Sequence, residues 1–133
     1  MALGRPDISV IIPAYNEEKR LAPTVREAVE YFRRRSRSAE IIVVDDGSRD
    51  RTSDLTHQLG GEMREVRLIR LAANAGKGYA VRTGVVNARG RLVMFMDADG
   101  ATPIAEFERL GQSSRPLGCS NHWLARRRST LVD

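Results

Sequence analysis

The chain has 133 residues, 41% of them hydrophobic, and a formal net charge of +5, which makes it one domain's worth of protein with enough apolar material for a core. Its single cysteine, Cys119, excludes an internal disulfide framework. No apolar run approaches the roughly 18 residues of a membrane span, and the start Met-Ala-Leu-Gly-Arg-Pro carries no signal-peptide core, so a soluble, cytoplasmic protein is expected.

Ile8-Ser-Val-Ile-Ile12 is a short β-branched run ended by Pro13 and reads as a first strand leading into a loop. Leu21, Val25, Ala28, Val29 and Phe32 then recur at spacings of three and four, which predicts a helix over residues 18–35, with Pro23 tolerable only near its first turn. Arg33, Arg34, Arg35 and Arg37 crowd its end, where cations suit the helix dipole. The period changes at Glu40-Ile-Ile-Val-Val44, apolar on consecutive positions as in a strand covered on both faces, and this run exits into Asp45-Asp46-Gly47-Ser48.

A short helix is predicted over residues 52–59, closed by Gly60-Gly61, and a third strand over 66–71. Its exit is Ala72-Ala-Asn-Ala-Gly-Lys-Gly78. From Lys77 to Ala88 a helical pattern returns, with Ala80, Val81, Gly84, Val85 and Ala88 as a small-residue face suited to packing on a sheet. Leu92-Val-Met-Phe-Met96 is the fourth strand, and a further helix is predicted over 103–110, starting at a proline. The βαβαβαβ order gives the fold class: α/β, Rossmann-like, a mostly parallel sheet with crossover helices. Residues 1–110 form the expected domain. Residues 111–133 show no clear period, carry Arg126, Arg127 and Arg128, and are expected to be an irregular, poorly ordered tail.

In an open parallel sheet, ligands bind outside the carboxyl ends of the strands. Pro13-Ala-Tyr-Asn-Glu17, Asp45-Asp46, Asn74-Ala-Gly-Lys-Gly78 and Asp97-Ala-Asp99 each follow one strand, so four loops converge on one rim. Alternation along an extended chain puts Asp97 and Asp99 on a shared face and turns Asp45 and Asp46 apart, one of the latter pair being structural. Several carboxylates on one rim repel unless a cation offsets them, and hard oxygen ligands select Mg²⁺ or Mn²⁺, which take phosphate oxygens to complete their shell. Taken singly, each acid is as well explained by capping a helix or a loop amide. Lys77, between two glycines, can approach a diphosphate; the alternative is an exposed loop lysine. A P-loop is excluded, because it would need glycine where Leu71 stands, and Gly84 comes too late for a dinucleotide fingerprint. His57 and His122 are incidental.

Together, Ile11-Ile-Pro-Ala-Tyr-Asn-Glu17, Val43-Val-Asp-Asp-Gly-Ser-Arg-Asp-Arg-Thr52, Asn74-Ala-Gly-Lys-Gly78 and Met96-Asp-Ala-Asp99 resemble family 2 glycosyltransferases with a GT-A fold, over residues 8–110. Glu18-Lys-Arg-Leu21 and Asp97-Ala-Asp-Gly-Ala-Thr-Pro103 look most like the dolichyl-phosphate or polyprenyl-phosphate glucosyltransferase branch. The resemblance implies the nucleotide-binding half of that fold and transfer of a hexose, glucose from UDP-glucose, to a lipid phosphate with inversion. It implies Pro13, Tyr15 and Glu17 around the nucleoside and Asp45 facing the uracil. Asp97 would lie beside the ribose and diphosphate, and Asp99 would be the principal ligand of Mg²⁺ or Mn²⁺, with both aspartates counted as catalytic. Related mannosyl enzymes have a polar metal-holding residue where Ala101 stands, so Thr102 or water would substitute. The implied partners are a UDP-sugar and a polyprenyl or dolichyl phosphate, with peripheral contact at the cytoplasmic face of a membrane and no nucleic acid.

Nothing after Gly111 looks like the acceptor half of such enzymes, which leads us to expect a frameshift or premature end. Two alternatives follow. One is an inactive truncated nucleotide-binding fragment. The other is a HAD-type phosphatase, whose nucleophile motif Asp97-Ala-Asp-Gly100 resembles, although that motif normally opens a chain and here comes last.

Overall fold

The computed structural model describes residues 4–100 and 123–126. The predicted helix at 103–110, Ala101, Thr102, Cys119 and the tail apart from residues 123–126 lie outside the described residues. The elements are β1 (Ile8–Ala14), α1 (Leu21–Arg34), β2 (Ala39–Asp45), α2 (Thr52–Glu62), β3 (Val66–Arg70), α3 (Lys77–Asn87), β4 (Leu92–Phe95) and β5 (Trp123–Arg126). The strands form one sheet in the order β3-β2-β1-β4-β5. The first four are parallel, with Ile8 opposite Ala39 and Leu92, and Ile41 opposite Val66. The expected Rossmann-like architecture is what the chain adopts.

Strand order decides where the helices lie. The chain steps one way from β1 through β2 to β3, then crosses back to place β4 on the other side of β1, and right-handed crossovers therefore put α1 and α2 on one face and α3 on the opposite one. Two cores follow. Ile8, Val10, Ile12, Ile41 and Val43 pack with Leu21, Val25, Phe32 and Leu59 on the first face, while Ile11, Ile42, Val44 and Val93 pack with Ala80 and Ala88 on the second. Consecutive apolar positions in β1 and β2 are thus needed, since neighbours alternate between two covered faces. Ala80 and Gly84 on α3 and Ala88 just past its end are buried, and a Cβ on Gly84 would lie 2.4 Å from Cγ2 of Ile11, so this helix rides close on the sheet. Val81 and Val85, expected on the same face, instead border an apolar groove beside Val93, Met94 and Phe95.

Most boundaries shift by one or two residues, β1 running on through Pro13 to Ala14, and the larger differences from expectation have local causes. Helix α1 starts at Leu21 rather than 18: residues 18–20 form a turn before it, in which the Glu17 carbonyl accepts from the amides of Arg20 and Leu21. Gly60 and Gly61 do not end α2, which continues to Glu62; a Cβ on Gly60 would stand 3.3 Å from the Val66 carbonyl oxygen, so the first glycine gives closeness to β3. Finally, the tail expected to be irregular contributes β5, antiparallel to β4 from Leu92 opposite Arg126 to Phe95 opposite Trp123. Without it, β4 would present unpaired N–H and C=O groups along its outer edge.

The amino-terminal ends of the strands are tied by a buried carboxylate. Glu40, whose side chain is 6% exposed, accepts from Ser9 Oγ at 2.5 Å, Arg67 at 2.7 Å and the Arg89 amide at 2.6 Å, and Ser9 Oγ in turn accepts from the Gly90 amide at 2.8 Å. Burial alone would push the Glu40 carboxyl up, but the Arg89 amide, the Ser9 hydroxyl and Arg67 outweigh it and hold it below its ordinary value. A depressed carboxyl stabilises the fold fully above the unfolded value and loses that contribution as pH falls through the folded one. Glu40→Gln is therefore expected to cost about 2 kcal/mol at neutral pH. In urea titrations at a series of pH values, the gap to the parent chain should close below about pH 4; a gap independent of pH would refute the ionised network.

Candidate functional site

The sheet reverses its direction of growth between β1 and β4, and crevices at such switch points, outside the carboxyl ends of the strands, receive ligands. An open cleft of about 200 Å³ lies there, lined by Pro13 and Ala14 at the end of β1, Tyr15 and Glu17 after it, Asp46 after β2, Lys77 at the start of α3, and Asp97, Ala98 and Asp99 after β4. Of the residues expected in the site, Pro13, Tyr15, Glu17, Lys77, Asp97 and Asp99 are brought together. Asp45 is not.

The loop after β1 is held by the loop after β2. Asn16, at φ +53°, takes the left-handed conformation that Asn tolerates, and its Oδ1 accepts from the Arg49 amide at 2.9 Å while its own amide donates to Ser48 Oγ at 2.8 Å. The Glu17 amide donates to Thr52 Oγ1 at 2.9 Å. Tyr15 is left 44% exposed over the cleft, a ring available for a flat ligand to rest on.

Asp45 and Asp46 do turn apart, but it is Asp46, not the expected Asp45, that lines the cleft. Asp45 continues the Ile41 and Val43 side of β2, toward α2, where it is fully buried; its Oδ1 accepts from the Ser48 amide at 2.8 Å and its Oδ2 from the Ser53 hydroxyl. Both carboxylate oxygens are thereby engaged by the fold, and Asp45 is not among the residues that line the cleft. Asp46 continues the Val44 side, toward the loop before α3, and lines the cleft. It accepts from the Ala75 amide at 2.7 Å, the Gly76 amide at 3.0 Å and Asn74 Nδ2 at 3.2 Å. Gly47 lets that loop approach, since a Cβ there would be 2.5 Å from the Asn74 nitrogen.

Asp97 and Asp99 alternate with Met96 and Ala98, which are 2% and 3% exposed, so the apolar pair anchors the segment in the core while the acids face the cleft. Lys77 Nζ meets Asp97 Oδ1 at 2.5 Å. Among the described residues no group of three His, Cys, Asp or Glu side chains is set to hold a metal. Two cleft carboxylates with room for water and phosphate oxygens nevertheless match what Mg²⁺ or Mn²⁺ asks of a protein, so the donor set fits such an ion and does not fit a closed zinc site.

The arginines at the end of α1 have protein partners at the far end of the sheet from this cleft. Arg33 forms a two-pronged pair with Glu65, Arg34 pairs with Glu30 and Arg37 with Asp7, and Arg35 lies 3.8 Å from the centroid of the Tyr31 ring. Among the described residues no helix is long and apolar enough to cross a membrane.

The family model described as glycosyl transferase family 2 matches residues 9–114, which takes in every strand-end loop of the cleft. The chain belongs to glycosyl transferase family 2. It is 42% identical over 119 residues to the dolichyl-phosphate beta-glucosyltransferase of Homo sapiens, covering 83% of this chain and 36% of that protein. It is 41% identical over 116 residues to a dolichyl-phosphate beta-glucosyltransferase of Trichomonas vaginalis, covering 84% of this chain and 34% of the relative. Among solved structures, a mannosyltransferase of Pyrobaculum calidifontis in complex with GDP-Man and Mn²⁺ superposes with a TM-score of 0.62 at 29% identity, covering 73% of this chain and 28% of that one. TarS 1-349 of S. aureus in complex with UDP gives a TM-score of 0.61 at 29% identity over 70% of this chain and 27% of that one. The family 2 chain described here thus spans about a third of the length of the curated relatives it matches. The phosphatase alternative falls with the family assignment, and the expected nucleotide-binding half of a GT-A fold accounts for the sheet.

Proposed function

We propose that this cleft binds a nucleotide-sugar donor, UDP-glucose, together with Mg²⁺ or Mn²⁺, and that the chain is the donor-binding part of a glucosyltransferase acting with inversion on a polyprenyl or dolichyl phosphate. The observation that carries this is the meeting of Asp97, Asp99 and Lys77 with Tyr15 and Asp46 at the one point where the sheet order reverses. In this proposal Pro13, Tyr15 and Glu17 line the nucleoside pocket, and Asp46, not Asp45, faces the uracil. Asp97 lies beside the ribose and diphosphate, and Asp99 is the principal metal ligand. A bound divalent cation supplies charge neutralisation on the diphosphate as UDP departs.

The chain's own residues orient the donor and meet the developing charge. Lys77 stands at the first position of α3, where the helix dipole also favours an anion. A lipid phosphate is largely dianionic at neutral pH, its second ionisation lying near pH ~6, and so can attack the anomeric carbon without a protein base. The acceptor's place is proposed at the cytoplasmic face of a membrane.

The test is a calorimetric titration of UDP and UDP-glucose into the purified chain with Mn²⁺ and with EDTA. Binding is expected with Mn²⁺, weaker by about tenfold or more in EDTA and in Asp99→Ala, the loss of one charge-assisted contact to the ion. Equal binding with and without the ion would remove the metal from the site, and no binding by a folded chain would remove the donor. Transfer of labelled glucose to a polyprenyl phosphate by this chain would distinguish an active enzyme from a fragment that only binds.

A further inference from the structure

Among the cleft's described lining residues are four acids, Glu17, Asp46, Asp97 and Asp99, and one cation, Lys77. Two of the acids are answered by their surroundings: Glu17 pairs with Arg20 at 3.1 Å, and Asp46 takes the loop amides of Ala75 and Gly76. Asp97 is answered by Lys77 itself at 2.5 Å. The lysine is placed there by a strap across the carboxyl edge of the sheet: Gly47 seats Asn74, Asp46 holds the Ala75 and Gly76 amides, and α3 begins at the next residue.

We infer that Lys77 is the resident cation of the resting site, that it leaves Asp97 when a divalent ion and a diphosphate enter together, and that it excludes the ion arriving alone. The inference rests on the donor site proposed above. An ammonium on Asp97 occupies one of its carboxylate oxygens and repels an incoming dication. A nucleoside diphosphate removes both obstacles, since its phosphate oxygens offer the ammonium an alternative partner and neutralise the ion. The side chain can make the exchange without disturbing the fold: it is 57% exposed, a flexible four-carbon stem on a fixed helix start, and its Nζ already stands 6.0 Å from the ring centroid of Phe95, which lines the neighbouring apolar groove. Lys77 is in this sense a positioning residue for the metal as well as a contact for the diphosphate, and the two roles give mutational effects of opposite sign.

The experiment is a Mn²⁺ titration followed by the paramagnetic resonance signal of the free ion, without nucleotide, and a UDP titration at saturating Mn²⁺, on the full chain, Lys77→Met and Lys77→Arg. An exposed ion pair is worth up to about fivefold in an equilibrium, and loss of a neighbouring positive charge adds to it at low salt, so Lys77→Met should bind Mn²⁺ alone about five- to tenfold more tightly. The same variant should bind UDP about tenfold more weakly, having lost a charge-assisted contact. Lys77→Arg, which keeps the charge, should take up Mn²⁺ alone much as the parent chain does. Mn²⁺ affinity unchanged or reduced in Lys77→Met would overturn the resident-cation role even if UDP binding by the parent chain is intact. If the parent chain fails to bind UDP with Mn²⁺, it is the donor site that falls, and the Mn²⁺ titration still decides whether Lys77 guards Asp97.

Discussion

Gly47→Ala is expected to destabilise the chain by about 3 kcal/mol and to weaken UDP binding with it. Gly47 sits at φ +77°, where an L side chain costs roughly 1–2 kcal/mol. A Cβ there would also fall 2.5 Å from the Asn74 nitrogen and 2.8 Å from the Ala73 carbonyl carbon, both backbone atoms that no rotamer change can move, and overpacking of this kind adds about 1–3 kcal/mol. The relief available is to lift residues 73–74 away from the end of β2, which withdraws Asn74, Ala75 and Gly76 from Asp46 and shifts the start of α3 where Lys77 stands. Gly61→Ala is the control: it lies within α2 with nothing within 4 Å of its would-be Cβ, and alanine there should be neutral or stabilising by up to about 1 kcal/mol. Calorimetric melting of the two variants should therefore differ in sign, the Gly47→Ala midpoint falling by about 10 °C. Equal midpoints would show that the Asn74 loop is not seated on Gly47.

What could be read from the sequence follows from what each pattern encodes. Strands buried on both faces announce themselves by consecutive Ile and Val, and α1 by its 3.6-residue stripe, so the βαβ order and the four rim loops were legible from Ile8 to Asp99. The small residues of α3 foretold a close approach to the sheet, and Gly84 against Ile11 is that approach. Four residues such as Trp123–Arg126 carry too short a pattern to declare a strand; the open edge of β4 recruits them. Gly60-Gly61 reads as a helix stop because local propensity cannot see β3 lying alongside. The buried Glu40 was equally hidden, since its three donors come from Ser9, Arg67 and Arg89, distant in sequence.

The twin aspartates mark the sharpest limit of such reading, and they carry the second large prediction. That Asp45 and Asp46 point to opposite faces needs only the pleat; which of them reaches the cleft needs the strand order, because α2 covers one face and the loop before α3 closes over the other. Asp45→Ala should accordingly act on folding. It removes an acceptor from the Ser48 amide and from the Ser53 hydroxyl in a site with no exposure at all, and leaving buried donors without a charged partner costs about 3 kcal/mol, a fall of some 10 °C in melting temperature. Asp46→Ala should act on binding. Asn74 and Ala75, which it holds, are exposed, so their amides can turn to water at a cost of about 1 kcal/mol, while the strap that sets Lys77 over Asp97 is released and UDP affinity drops by about tenfold. Measured side by side, the two alanine variants should separate cleanly, one unstable but still binding UDP below its melting temperature, the other stable and impaired. The reverse pattern would return the nucleoside-facing role to Asp45 and make Asp46 the structural member of the pair.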